Sequence, residues 1–113
     1  MKFIMFIYPD RSVELAPEEK AAIPAAVEAW VTEMDGRGVR LQGHVLAPGS
    51  EAATVKVRGG EAIVNDGTLS EATAEISGFN ILECADLDEA LVVSAKHPVA
   101  TFGTLELRPF AES

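Results

Sequence analysis

Positive charge is scarce in this chain: nine Lys and Arg stand against eighteen Asp and Glu, a net charge of −9 at pH 7. Such a balance is repelled by phosphate backbones and anionic headgroups, so neither nucleic acid nor a membrane is an expected partner. A single cysteine, Cys84, excludes an internal disulfide and points to a reducing, cytoplasmic compartment. The only two histidines, His44 and His97, are far apart in sequence and lack ligand spacing, so no metal site is expected. No glycine-rich phosphate loop is present, since Gly59-Gly60 reads as a turn, and no cofactor is expected. The apolar runs are too short to span a bilayer. The opening MKFIMFIYPD is followed by no small-residue cleavage site, so it is expected to be a first strand rather than a signal peptide.

What remains is a chain of 113 residues, expected to form one domain over 1–113 with a core that needs neither disulfide nor metal. Residues 3–8 are apolar on both faces of a strand: Phe3, Met5 and Ile7 on one, Ile4, Phe6 and Tyr8 on the other. A strand of that kind expects cover on both sides. Residues 17–35 have a helical pattern, with Pro17, Glu18 and Glu19 suited to a first turn. Ile23, Val27, Trp30, Val31 and Met34 form its apolar stripe. Pro24 either kinks that helix or marks a later start, and Gly36 and Gly38 stop it.

Residues 39–46 alternate, with Val39, Leu41 and Val45 on one face and Arg40, Gln42 and His44 on the other. A hairpin follows, 54–58 and 61–65 joined by Gly59-Gly60, two residues able to supply positive φ in a tight primed turn. Asp66-Gly67 breaks it, and residues 68–75 read as a loop able to wall a site. Extended structure resumes at 79–84. Asp86, with Glu89 three residues on, forms a capping box for a second helix. Leu87, Ala90, Leu91, Ser94 and Ala95 make its narrow stripe, and His97 closes it as a C-terminal residue before Pro98. A last strand, 104–108, turns Leu105 and Leu107 inward and Thr104, Glu106 and Arg108 outward.

The order predicts an α+β fold: a ferredoxin-like βαββαβ with an extra β-hairpin, an antiparallel sheet with two helices on one face. Two helices cover one face only. The other mixes apolar side chains with Gln42, His44 and Glu106, and a second copy packed sheet against sheet is the economical cover. A homodimer is therefore expected.

Several runs resemble the DGPF-motif branch of the YCII-related family. They are Val64-Asn65-Asp66-Gly67 followed by Glu71 and Gly78-Phe79, then Asp86-Leu87-Asp88-Glu89-Ala90-Leu91, His97-Pro98 and Leu107-Arg108-Pro109. Met1-Lys2-Phe3 through Ile7-Tyr8 fits as well. The resemblance implies the dimeric α/β-barrel fold. The chain departs from the family where Pro-Phe is expected after Asp66-Gly67 and Thr68-Leu69 stands instead. It also lacks the first-helix His that the resemblance implies as half of a catalytic pair, having no His between residues 10 and 43.

His44 is the sharpest candidate, a general acid or base near neutral pH or, on the plainer reading, a hydrogen-bonded interface histidine. Asp66 serves the turn before Gly67, or orients His44 and substrate. Gln42 and Arg108 share the open face, where Arg108 can clamp a carboxylate or pair with Glu106. Glu71 is a further substrate-binding candidate, or a solvated loop acid. Cys84 and Trp30 read as core. Two functions fit: a small dimeric α/β-barrel protein binding a small organic molecule in a cavity by the sheet, with histidine-assisted acid/base chemistry, or a non-catalytic interaction or regulatory module of the same fold.

Overall fold

The computed structural model describes residues 1–111. Strand β1 (Lys2–Pro9) is followed by helix α1 (Pro17–Gly36), strand β2 (Arg40–Val45), and the hairpin β3 (Ala53–Arg58) and β4 (Glu61–Asp66). A short helix α2 (Glu71–Ala74), strand β5 (Gly78–Glu83), helix α3 (Leu87–Ala95) and strand β6 (Gly103–Pro109) complete the chain. The main sheet is antiparallel with the order β2-β5-β1-β6, and the hairpin forms a separate two-stranded sheet. This is the expected ferredoxin-like arrangement with an added hairpin. Residues 68–75, expected as loop, contain α2, whose first turn is capped by the Ser70 hydroxyl accepting from the Thr73 N–H at 3.3 Å.

The two faces of β1 separate as alternation requires. Phe3 and Met5 are fully buried beneath the helices with Leu82, Trp30, Met34, Ala90 and Val93. The Trp30 indole donates to the Val93 carbonyl at 3.0 Å, so α1 and α3 are tied by a satisfied polar bond inside an apolar core. Helix α1 runs unbroken from Pro17 through Pro24. Pro24 lacks the N–H that would bond the Lys20 carbonyl, and both residues are exposed, so the break in the ladder falls on the solvent side. Gly38, at φ +70°, ends the helix, and the Val39 N–H returns to the Met34 carbonyl at 2.9 Å.

Three expectations are corrected by the packing. The buried stripe of α3 is Ala90, Val93 and Ser94, whereas Leu87 and Leu91 are half exposed, because the helix is rolled to put Val93 beneath Trp30. Its capping box is offset: Asp86 accepts from the Glu89 N–H at 2.9 Å, but Glu89 reaches the Ala85 N–H at 3.3 Å. The third concerns β2, where the register against β5 shifts between Arg40 and Gln42. Leu41 is the extra residue of a β-bulge, so Arg40 turns to the helix side while Gln42 and His44 stay on the open side. Strict alternation had put all three on one face.

The hairpin turns at Gly59 and Gly60, with φ of +59° and +81°, values that fit the primed turn expected from the glycine pair. Its valines, Val55, Val57 and Val64, remain 60–69% exposed. The radius of gyration is 16.2 Å, against about 13 Å for a close-packed chain of this length. The hairpin is thus an arm standing away from the body.

Truncation should separate core from surface. Met34→Ala is expected to cost about 2–5 kcal/mol in urea unfolding, whereas Leu91→Ala should stay within about 0.5 kcal/mol.

Candidate functional site

A cleft of about 240 Å³ opens between α1 and the β2–β5 side of the sheet. Val27 and Val31 of α1, Ile7 of β1 and Val99 wall it with apolar groups. Ser77 and Gly78 also line it, but none of residues 66–76 does, so α1 and not that loop closes the space. Besides His44 and Ser77, which also line it, three polar side chains reach it from the helix side: Arg40, Asn80 and His97.

Each is held for a physical reason. The bulge delivers Arg40 to the helix side, where its Nε–H donates to Asn80 Oδ1 at 2.7 Å and its Nη1 pairs with Asp35 at 3.0 Å. Asn80, 5% exposed, sits across from Gly43, and a Cβ at residue 43 would collide with its amide. A glycine is required there by close approach, not by backbone angles. His97, 2% exposed, lies past the end of α3 and caps the short turn Pro98–Thr101. Its Nδ1 accepts from the Val99 N–H at 3.1 Å, and its ring meets Trp30 edge to face with centroids 4.8 Å apart. Burial lowers its pKa from 6.5 to about 4, so the ring is neutral near pH 7. With Nδ1 accepting, the ring hydrogen is on Nε2.

The open face of the sheet carries other candidates. Two rows run straight across it: Gln42, Ile81, Ile4 and Arg108 in one, His44, Phe79, Phe6 and Glu106 in the next. Apolar pairs occupy the centre and polar groups both edges. His44 is exposed, its ring 5.7 Å from that of Phe79. Gln42 stands beside it, but Arg108 is three strands away, about 14 Å at ordinary strand spacing. Glu106 accepts from the Tyr8 hydroxyl at 3.0 Å rather than pairing with Arg108. Burial, and then the Glu106 carboxylate, hold the Tyr8 phenol above its usual pKa.

Asp66 closes β4 opposite Ala53 in the separate hairpin sheet, and Glu71 opens α2. Both are exposed, and neither shares a sheet with His44. The structure therefore brings Gln42 and His44 together and leaves Asp66, Glu71 and Arg108 apart from them within one protomer. Cys84 is buried as expected, and burial, followed by nearby Glu89, raises its thiol pKa, keeping it protonated and inert. Sequence reasoning passed over Arg40, Asn80 and buried His97. Asn80 was the findable one, a polar residue at the parity of Leu82 on the core side of an apolar strand.

A four-stranded antiparallel sheet with α1 and α3 on one side, and an open side of apolar centre and polar edge, is the fold of the dimeric α/β-barrel class. The chain belongs to the YCII-related family, whose domain model matches residues 1–112. An uncharacterised protein of Rhizobium meliloti is 40% identical over 70 residues, 58% of this chain and 55% of that protein. The chain thus matches little more than half the length of that relative. The solved structure of 5-chloro-2-hydroxyhydroquinone dehydrochlorinase from Burkholderia phenoliruptrix, in complex with 2,5-dihydroxybenzoquinone, is also similar, with a TM-score of 0.54. It is 14% identical, and the match covers 100% of this chain and 96% of that one, a likeness of fold. Among the described residues no helix is long and apolar enough to cross a membrane.

The buried imidazole makes stability pH-dependent. Between pH 6.5 and about 4 the unfolded chain binds a proton at residue 97 that the folded chain refuses. Its contribution is complete above pH 6.5 and lost as pH falls toward 4, about 3 kcal/mol in all. Denaturant titrations of wild type and His97→Asn across that range should show the wild type losing more on acidification.

Proposed function

We propose that the protein is a homodimer whose subunits each bind a small organic molecule in the cleft beneath α1. The observation that carries this reading is the cleft itself: apolar walls around a few convergent polar groups, the usual anatomy of a small-molecule site. A volume of about 240 Å³ suits a single-ring compound. The similar dehydrochlorinase, which holds 2,5-dihydroxybenzoquinone, supports a ligand of that size on this fold. A cytoplasmic setting fits the lone buried thiol of Cys84.

The second copy covers the open face. Ile4, Phe6, Phe79 and Ile81 are each partly exposed at its centre, with Gln42, His44, Glu106 and Arg108 at its edges. An apolar centre inside a polar rim is how protein interfaces are built. In this reading His44 acts as acid or base, with Gln42, Asp66, Glu71 or Arg108 placing a substrate, only once a partner encloses it. The rival reading, a binding or regulatory module without catalysis, is favoured by α1, which offers the cleft Val27 and Val31 and no titratable group.

Three measurements test this. Light scattering should give twice the 12.0 kDa chain mass, and Phe6→Asp should give one chain mass with helix and sheet content intact. In a thermal-shift screen of single-ring metabolites, a ligand at a hundred times its Kd adds about 2.7 kcal/mol of stability. Val31→Trp, which fills the cleft, should abolish that shift, and loss of ligand-dependent turnover in His44→Ala would separate enzyme from module. A wild-type monomer, or a screen without a hit, removes the corresponding half of the reading.

A further inference from the structure

The cleft contains two nitrogen donors with nothing in the protein to receive them. Asn80 spends its Oδ1 on Arg40. That bond settles which end of the amide is oxygen, because an N–H donor faces it. The amide nitrogen Nδ2 is left over, on a residue 5% exposed, and makes no hydrogen bond within the protein. His97 spends Nδ1 on the Val99 N–H, which leaves Nε2–H over on a residue 2% exposed. Among the described residues, no fully buried side-chain nitrogen or oxygen lacks a partner. Both leftover nitrogens therefore touch accessible space, and the space their residues share is the cleft.

Donors kept this dry and unpaired are a poor arrangement for an empty core and a good one for holding acceptors. Their surroundings say which acceptors. The walls are mainly apolar, Ile7, Val27, Val31, Phe79 and Val99, so the body of the ligand is apolar. The Arg40 charge is already answered by Asp35, so no free cation demands a strongly anionic group. Resting on the cleft reading above, we infer that this site takes a single-ring compound bearing oxygen acceptors, a carbonyl or carboxylate oxygen received by Asn80 Nδ2–H and His97 Nε2–H. Arg40 acts from the cleft wall as a positioning residue: it fixes the Asn80 amide while its charge is paired with Asp35. His97 serves as a donor, not as a base, since its burial keeps the ring neutral and its lone pair is spent on Val99.

Three probes of similar shape separate the possibilities: benzoate, acetophenone and ethylbenzene, titrated by calorimetry against the purified dimer and its variants. Acetophenone, benzoate or both should bind, and which of them does so reports whether the site prefers a neutral or an anionic oxygen. Ethylbenzene should bind at least about tenfold more weakly. Asn80→Asp keeps an oxygen for Arg40 but removes the donor, and His97→Asn keeps an acceptor for Val99 while removing Nε2. Each should lower acceptor affinity about tenfold and leave ethylbenzene unchanged. If ethylbenzene binds as tightly as the others, is blocked by Val31→Trp and ignores Asn80→Asp, the donor inference is wrong and the cleft reading stands. If no probe binds wild type, the inference falls, and the cleft reading falls with it only if the metabolite screen is also silent.

Discussion

Phe3 and Met5 on one side of β1, and Ile4 and Phe6 on the other, set the constraint from which the architecture follows. A central strand apolar on both sides cannot be satisfied by α1 and α3, which lie on one side only. The helices seal the first set to zero exposure, with Trp30, Met34 and Val93 as the packing surface. The second set is left as a row of half-covered groups with polar ends. Core and open face are thus two sides of the same eight-residue strand, and a substitution that helps one by changing the twist of β1 is felt by the other.

Much of this was legible beforehand because it depends on alternation and punctuation. Period two correctly separated Phe3 and Met5 from Ile4 and Phe6 and turned Leu105 and Leu107 inward, and the pair Gly59-Gly60 located the hairpin turn. What failed was anything that needed knowledge of a neighbour. The bulge at Leu41 has no signature in Arg-Leu-Gln-Gly-His; it exists because Gly43 must sit against the Asn80 amide while Arg40 reaches the same amide from the helix side. The roll of α3 was equally hidden. Leu91 is the larger apolar residue, but Val93 is the one whose carbonyl meets the Trp30 indole.

The candidate site divides along the same line. Residues chosen for their chemistry alone, His44, Asp66, Glu71, Gln42 and Arg108, are spread over the open face, the hairpin and α2. Residues chosen by the fold, Arg40, Asn80 and His97, gather in one cleft, and of the sequence candidates His44 alone shares its lining. His97 illustrates the difference. As a sequence feature it is a helix end before a proline; in place it is a capping group, an aromatic partner of Trp30 and a neutral donor. Polarity in a position that alternation assigns to the core was the better guide.

The arm formed by β3 and β4 has a thermodynamic consequence of its own. Its ladder is internal, its valines face water, and an isolated two-stranded ribbon is marginal in solution. Amide hydrogens along Ala53–Asp66 can therefore exchange through fraying of that ribbon alone, while those of β1 and β5 wait for global unfolding. The chain is in effect two cooperative units of unequal depth, and whatever rests on the ribbon raises its protection without altering the midpoint of the rest.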